Sequence, residues 1–293
     1  MTVTERALLF ECAGESLPGI VSIPKTSATT GVMIVVGGPQ YRVGSHRQFV
    51  FLARFLAAHG VPCMRFDYRG MGDATGEARD FDAVDRDVDV AIAAFIAAVP
   101  GMQQVVLWGL CDGASAIGLG LGANPKVVGA VLLNPWVHTA AGAARTMLRH
   151  YYLRRLFDKR FWVKLLRGGV NVRAALGGVK ASADKVLTVK HEAGPPEAAH
   201  AASLPARMLR SLAPCSIPVA IFLSGRDHVA REFEHLSAND EGWRRLLDSP
   251  RFCTRHFESA DHTFSSAAAR QSVAEATLAW LRAHQFAEGI RQG

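Results

Sequence analysis

The chain has 293 residues, of which 49% are apolar and 20% charged, and its formal net charge is +7. That length can bury a full core, as one large domain or one domain with an insertion, and the composition excludes a disordered chain. The charge is unevenly placed: residues 138–213 hold 14 of the 33 basic residues but only four of the 26 acidic ones, a local +10 against −3 for the remainder.

In chain order, residues 7–24 read as a β-hairpin, with Leu8-Leu9-Phe10 and residues 19–23 flanking the turn-like Ala13-Gly14-Glu15-Ser16. Residues 31–36 are a continuous β-branched, apolar run that ends in Gly37-Gly38-Pro39, as expected of a strand covered on both faces. A helix is predicted over 49–59, a strand over 61–66, and a helix over 81–99 whose early turns carry Asp82, Asp85, Asp87 and Asp89, where the helix dipole favours negative charge. A strand at 104–108, a small-residue helix at 114–122 and a strand at 127–133 follow. The alternation then stops. Residues 138–213 are basic and helix-prone, notably 143–155 and 160–166, with a loop-like stretch at 193–197. It resumes with a strand at 219–224, helix over 232–247, a short strand at 254–257 and a closing helix at 263–284. This order predicts an α/β fold with a mostly parallel, doubly wound sheet formed by residues 1–137 and 214–293, and a basic helical cap at 138–213 inserted after the sixth strand.

The chain start lacks the basic head and apolar run of a secretory signal, and no stretch approaches the roughly 20 apolar residues that span a bilayer. The five cysteines are widely and irregularly spaced, with no C-x-x-C pair. A cytoplasmic protein without structural zinc, disulfides or an organic cofactor is expected.

The apolar strand at 105–108 runs into Gly109-Leu110-Cys111-Asp112-Gly113 and then into the small-residue helix. A free cysteine is most often a core residue, but strand–G-x-C-x-G–helix resembles the nucleophile elbow of the α/β-hydrolase family, with Cys in place of Ser. Glycines flank the nucleophile because it sits in a strained turn where neighbouring side chains would collide. Two later segments extend the resemblance. Gly225-Arg226-Asp227 after an apolar strand is similar to the family's acid loop, and Asp261-His262-Thr263 before the last helix to its histidine loop. The order Cys111, Asp227, His262 is the family's order of nucleophile, acid and base. His228 and Asp261 are adjacent alternatives that the family spacing does not select.

The resemblance implies an acyl-cysteine mechanism. His262 would take the thiol proton or hold a thiolate–imidazolium pair, Asp227 would orient the imidazole, and the following helix would favour the thiolate. The oxyanion hole would use the N–H of Asp112 and one from Gly38 or Gln40, since Pro39 has none. The loop Asp67-Tyr68-Arg69-Gly70-Met71-Gly72-Asp73 is similar to a structural loop of the family, with Arg69 expected to pair with an acid. Together with the V-G-G-P-Q-Y-R-V-G-S-H-R segment and the Cys elbow, it resembles the hydrolases associated with bacterial exosortase systems, which accompany exopolysaccharide production.

The function implied is cleavage of an ester or thioester, the substrate being a small or carrier-linked acyl compound. The same triad would also serve an acyltransferase, and the fold without catalysis would serve as an interaction protein. The basic cap suits a solvated face, an anionic membrane surface or a phosphate-bearing acyl carrier. No nucleic-acid motif accompanies the charge.

Overall fold

The structure is a computed structural model and describes residues 3–26, 28–37, 40–137 and 203–287. The hairpin pairs β1 (Thr4–Cys12) with β2 (Glu15–Ile23). Its two-residue turn, Ala13-Gly14, has φ of 54° and 82°, the left-handed pair whose twist matches that of the flanking strands. Six further strands follow: β3 (Thr30–Val35), β4 (Cys63–Phe66), β5 (Gln104–Leu110), β6 (Val127–Leu133), β7 (Val219–Ser224) and β8 (Phe252–Phe257). They form one sheet in the order β1-β2-β4-β3-β5-β6-β7-β8. β2 pairs antiparallel with β1 and β4, and every later pairing is parallel.

The central strands are apolar on both faces because helices cover both. α1 (Gln48–Ala58) and the last helix, α7 (Ala267–Ala283), pack on one face, where Phe49, Leu52 and Leu56 meet Val32, Ile34, Trp108, Val273 and Leu281. Trp108 lies edge-on to Phe49 with ring centroids 5.9 Å apart and donates its indole N–H to Thr277 Oγ1 at 3.3 Å. α2 (Asp85–Ala98) and α3 (Asp112–Gly120) complete the βα units. α5 (His228–Asn239) and α6 (Glu241–Leu247) lie between β7 and β8.

Helix starts differ from the sequence reading wherever a cap or break overrides apolar periodicity. Over 81–99, Phe81–Ala83 is a single 3-10 turn, Val84 has non-helical dihedrals, and α2 begins at Asp85. The stretch 232–247 is two helices. The first begins at His228 because the Asp227 carboxylate caps it, accepting from Val229 and Ala230 N–H; Asp240 ends it in an extended conformation and caps the second through Trp243 N–H. The closing helix starts at Ala267 rather than 263, with Ser266 Oγ accepting from Ala269 N–H. The elbow helix starts at Asp112 rather than 114.

Compact units comprise Met1–Val137 with Arg207–Gly293, and His138–Ala206. The helical stretches expected at 143–155 and 160–166 and the loop at 193–197 lie outside the described residues. α4 (Leu204–Leu212) brings Arg207 to Asp82 at 2.7 Å and buries Met208 against Gly118. Among the described residues no helix is long and apolar enough to cross a membrane.

Ion pairs help hold the loop after β4. Buried Asp67 accepts from Arg42 N–H at 2.6 Å and from Asp73 N–H at 3.0 Å, and pairs with the Arg42 guanidinium. Arg69 forms a two-pronged bridge to buried Asp87 of α2, at 2.8 Å on each oxygen. The acid expected beside Arg69 is therefore Asp87. With both partners out of water, removing either one would strand a buried charge.

Candidate active site

Cys111 stands between β5 and α3 with φ 59° and ψ −125°. This left-handed backbone is rare for a residue with a Cβ, and holding it costs on the order of 1–3 kcal/mol. Neighbouring backbone fixes it: Cys111 N–H donates to Leu133 O at 2.9 Å, and Cys111 O accepts from Ser115 N–H at 3.1 Å and Trp136 N–H at 3.3 Å. The glycines around it mark close backbone approaches. A Cβ on Gly109 would lie 2.7 Å from the Gly113 carbonyl, one on Gly113 would lie 2.6 Å from Val35 O, and one on Gly37 would lie 2.3 Å from Gly113 N. The end of β3 is thus packed directly against the start of α3.

The acid and the histidine arrive from the next strands. Asp227 ends the β7 loop, which is tied to the β8 loop through Gly225 N–H to Phe257 O and Arg226 N–H to Ala260 O, both at 3.0 Å. His262 Nδ1 lies 2.7 Å from Asp227 Oδ2, and Cys111 is near enough to the ring to raise its pKa. With Nδ1 engaged by the carboxylate, Nε2 is the ring nitrogen left for the sulfur. The structure therefore brings Cys111, His262 and Asp227 together, with the histidine hydrogen-bonded to the carboxylate. The Asp227 hydrogen bond, and then Cys111 beside the ring, push the imidazole from 6.5 up to about 10 against the opposing effect of burial.

The two neighbouring alternatives are engaged elsewhere. Asp261 accepts from Ser265 N–H at 2.9 Å and from the Ser265 hydroxyl, which holds its carboxyl below the usual range. His228 is exposed in the first turn of α5. Of the residues expected at an oxyanion hole, Asp112 is the first residue of α3, Gln40 has its side-chain oxygen 3.3 Å from Ser45 N, and Gly38 lies outside the described residues. Tyr68, fully buried, is pushed up to about 12 by burial and then by nearby Asp112 and other acids, so it is a neutral phenol beside the site. Sequence reasoning passed over Asn134, which follows β6 and reaches both the β7 end and the His262 loop. An Asn-Pro step at a strand end is the one signal that could have marked it.

The raised imidazole has a consequence for stability. Because the folded value exceeds the unfolded one, protonation of His262 stabilises the fold in full below about pH 6.5, and this contribution is lost as the pH rises through about 10. The side chain is 33% exposed, so solvent screens part of the effect. The stability gap between the wild type and His262→Ala, read as the difference in urea midpoint, is expected to narrow steadily across that window. A constant gap would show that the ring carries no proton there.

A model of the alpha/beta hydrolase family matches residues 33–278. Among solved structures, the esterase Pf2001 of Pyrococcus furiosus is 14% identical over 96% of this chain and 91% of its own, at a TM-score of 0.64. The alpha/beta hydrolase GrgF from Penicillium sp. sh18 is 16% identical over 96% and 99%, at 0.61. Est1E from Butyrivibrio proteoclasticus, solved with ferulic acid bound, is 13% identical over 94% and 98%, at 0.60. No curated protein matches the chain. With the family match covering most of its length and the strand order and elbow in agreement with it, the chain belongs to the alpha/beta hydrolase family.

Proposed function

We propose that the protein hydrolyses an ester or thioester through an acyl–Cys111 intermediate, with His262 as general base and acid and Asp227 as its orienting partner. The observation that carries this reading is the strained elbow conformation of Cys111 beside a histidine that lies 2.7 Å from a buried carboxylate. A core cysteine has no use for either.

His262 already holds the thiol's proton in a thiolate–imidazolium pair, and the Cys111 sulfur attacks the acyl carbonyl. The resulting oxyanion accepts a hydrogen bond from Asp112 N–H and a second from Gly38 or Gln40. The packing of Gly37 against Gly113 supports a donor from that loop. His262 then protonates the departing alcohol or thiol as the carbonyl reforms, leaving a thioester on Cys111. Water, deprotonated by His262, attacks this thioester, the carboxylic acid leaves, and the thiol is restored. Asp227 stabilises the imidazolium in both halves. A role in exopolysaccharide production is part of this proposal and rests on the G-L-C-D-G, D-Y-R-G-M-G-D and V-G-G-P-Q-Y-R-V-G-S-H-R segments.

The test is incubation with a panel of activated acyl esters and acyl thioesters, followed by site-resolved mass spectrometry, with Cys111→Ala as control. An acyl adduct on Cys111 that decays in water to the free acid is expected. An adduct that persists in water and leaves only when an amine or alcohol is added would make the enzyme an acyltransferase. Neither adduct nor turnover with any substrate would overturn the catalytic reading.

A further inference from the structure

Asn134 follows β6 at the point where the β6–β7 ladder ends with Leu133 opposite Phe222. It is fully buried, and its φ of 43° is left-handed, a conformation Asn tolerates better than most residues. Its backbone N–H donates to Phe222 O at 2.9 Å, which carries the ladder one step further. Its side chain goes on from there. Oδ1 accepts from Ser224 N–H at 2.9 Å, and Nδ2 donates to Ser224 Oγ at 2.9 Å and to the His262 carbonyl at 3.1 Å. Ser224 leads directly into Gly225-Arg226-Asp227, and His262 is in the irregular stretch between β8 and α7. The residue before Asn134 and the second residue after it reach the third loop: Leu133 O accepts from Cys111 N–H, and Trp136 N–H donates to Cys111 O. Ser115 Oγ closes the set by donating to Trp136 O at 2.6 Å.

We propose that Asn134 is a positioning residue that holds the His262 and Asp227 loops in register with Cys111; this rests on the reading of those three residues as a catalytic triad. The physical ground is the number of independent ties converging on one buried amide. The His262 ring is restrained at one end by Asp227 and, through its own carbonyl, by Asn134. Without the amide, the backbone of His262 could shift while the imidazole–carboxylate bond survived, and the imidazole would leave the sulfur. A misplacement of about 1 Å can cost a reaction on the order of a hundredfold.

The test uses the full chain and the rate at which iodoacetamide alkylates Cys111, resolved by mass spectrometry over a pH series. Asn134→Gly keeps the left-handed backbone and removes the amide. Ser224→Ala removes one partner of Nδ2 and leaves its bond to the His262 carbonyl. Both substitutions are expected to lower the urea midpoint. Only Asn134→Gly should slow alkylation near pH 6, by about tenfold, because the imidazole no longer sits beside the sulfur. Equal profiles for Asn134→Gly and wild type would overturn the positioning role while leaving the triad intact. An Asn134→Gly chain that fails to fold would also overturn it, making Asn134 a folding residue. A wild-type profile identical to that of His262→Ala would instead remove the triad, and the proposal with it.

Discussion

Replacing His262 with alanine is expected to lower kcat/KM for any acyl substrate the enzyme turns over by about three to four orders of magnitude, with the chain still folded. In the proposed mechanism the ring holds the thiol's proton and later gives it to the leaving group, and Asp227 lies 2.7 Å from the ring to hold it there. What survives its loss is attack by a sulfur without a base beside it, helped by the oxyanion donors. His262 is a cleaner probe than Asp227, whose carboxylate also caps α5 through Val229 and Ala230 N–H. An Asp227 variant would therefore lose about 1 kcal/mol of helix capping as well as tautomer control. Residues that act as one unit are not additive, so Cys111→Ala with His262→Ala is expected to be no slower than Cys111→Ala alone. A His262→Ala enzyme that stays within about threefold of wild type in kcat/KM would remove general-base catalysis by this residue, since such catalysis is ordinarily worth at least a hundredfold.

Much of the site is legible in the sequence because its geometry is set by residues of unusual type. Glycines at 109 and 113 are required where the strand and helix backbones nearly touch, and an apolar run into G-x-C-x-G announces that contact. The order of nucleophile and acid is equally plain, because Cys111 and Asp227 each follow an apolar strand buried in the sheet, whereas His262 follows the mostly exposed edge strand β8. What the pattern does not carry is the register of the helices. Asp227 reads as a loop acid, yet its double use as helix cap moves the start of α5 to His228, a polar turn with no apolar periodicity. The last helix is delayed in the same way by the Asp261–Ser265 bonds and the left-handed Phe264, φ 51°. Asn134 was not legible as a functional residue. Its partners, Ser224 and His262, lie 90 and 128 residues away, and nothing local in Leu133-Asn134-Pro135-Trp136 distinguishes a keystone amide from a strand-ending turn.

The elbow itself gives the second large effect. Gly109→Ala is expected to cost about 3 kcal/mol or more of folding stability, at the upper end of overpacking penalties, and to slow acyl transfer to Cys111 at least about a hundredfold. The three atoms nearest the added methyl, Gly113 C and O at 2.7 Å and Ala114 N at 2.8 Å, are all backbone. No side-chain rotation can relieve them, so α3 must move away from β5. Cys111 lies between the two elements and moves with the helix, whereas His262 is anchored to β7 and β8 through Asp227 and does not follow. Stability and reactivity should therefore fall together. Gly101→Ala supplies the comparison. Gly101 has φ 82° with nothing within 4 Å of its would-be Cβ, so that change is charged only for backbone conformation, about 1 kcal/mol, and should leave Cys111 as reactive as in the wild type. Urea midpoints and Cys111 alkylation rates, measured side by side, separate the two cases. If Gly109→Ala matched Gly101→Ala in both, the contact between β5 and α3 would not be what holds the nucleophile in place.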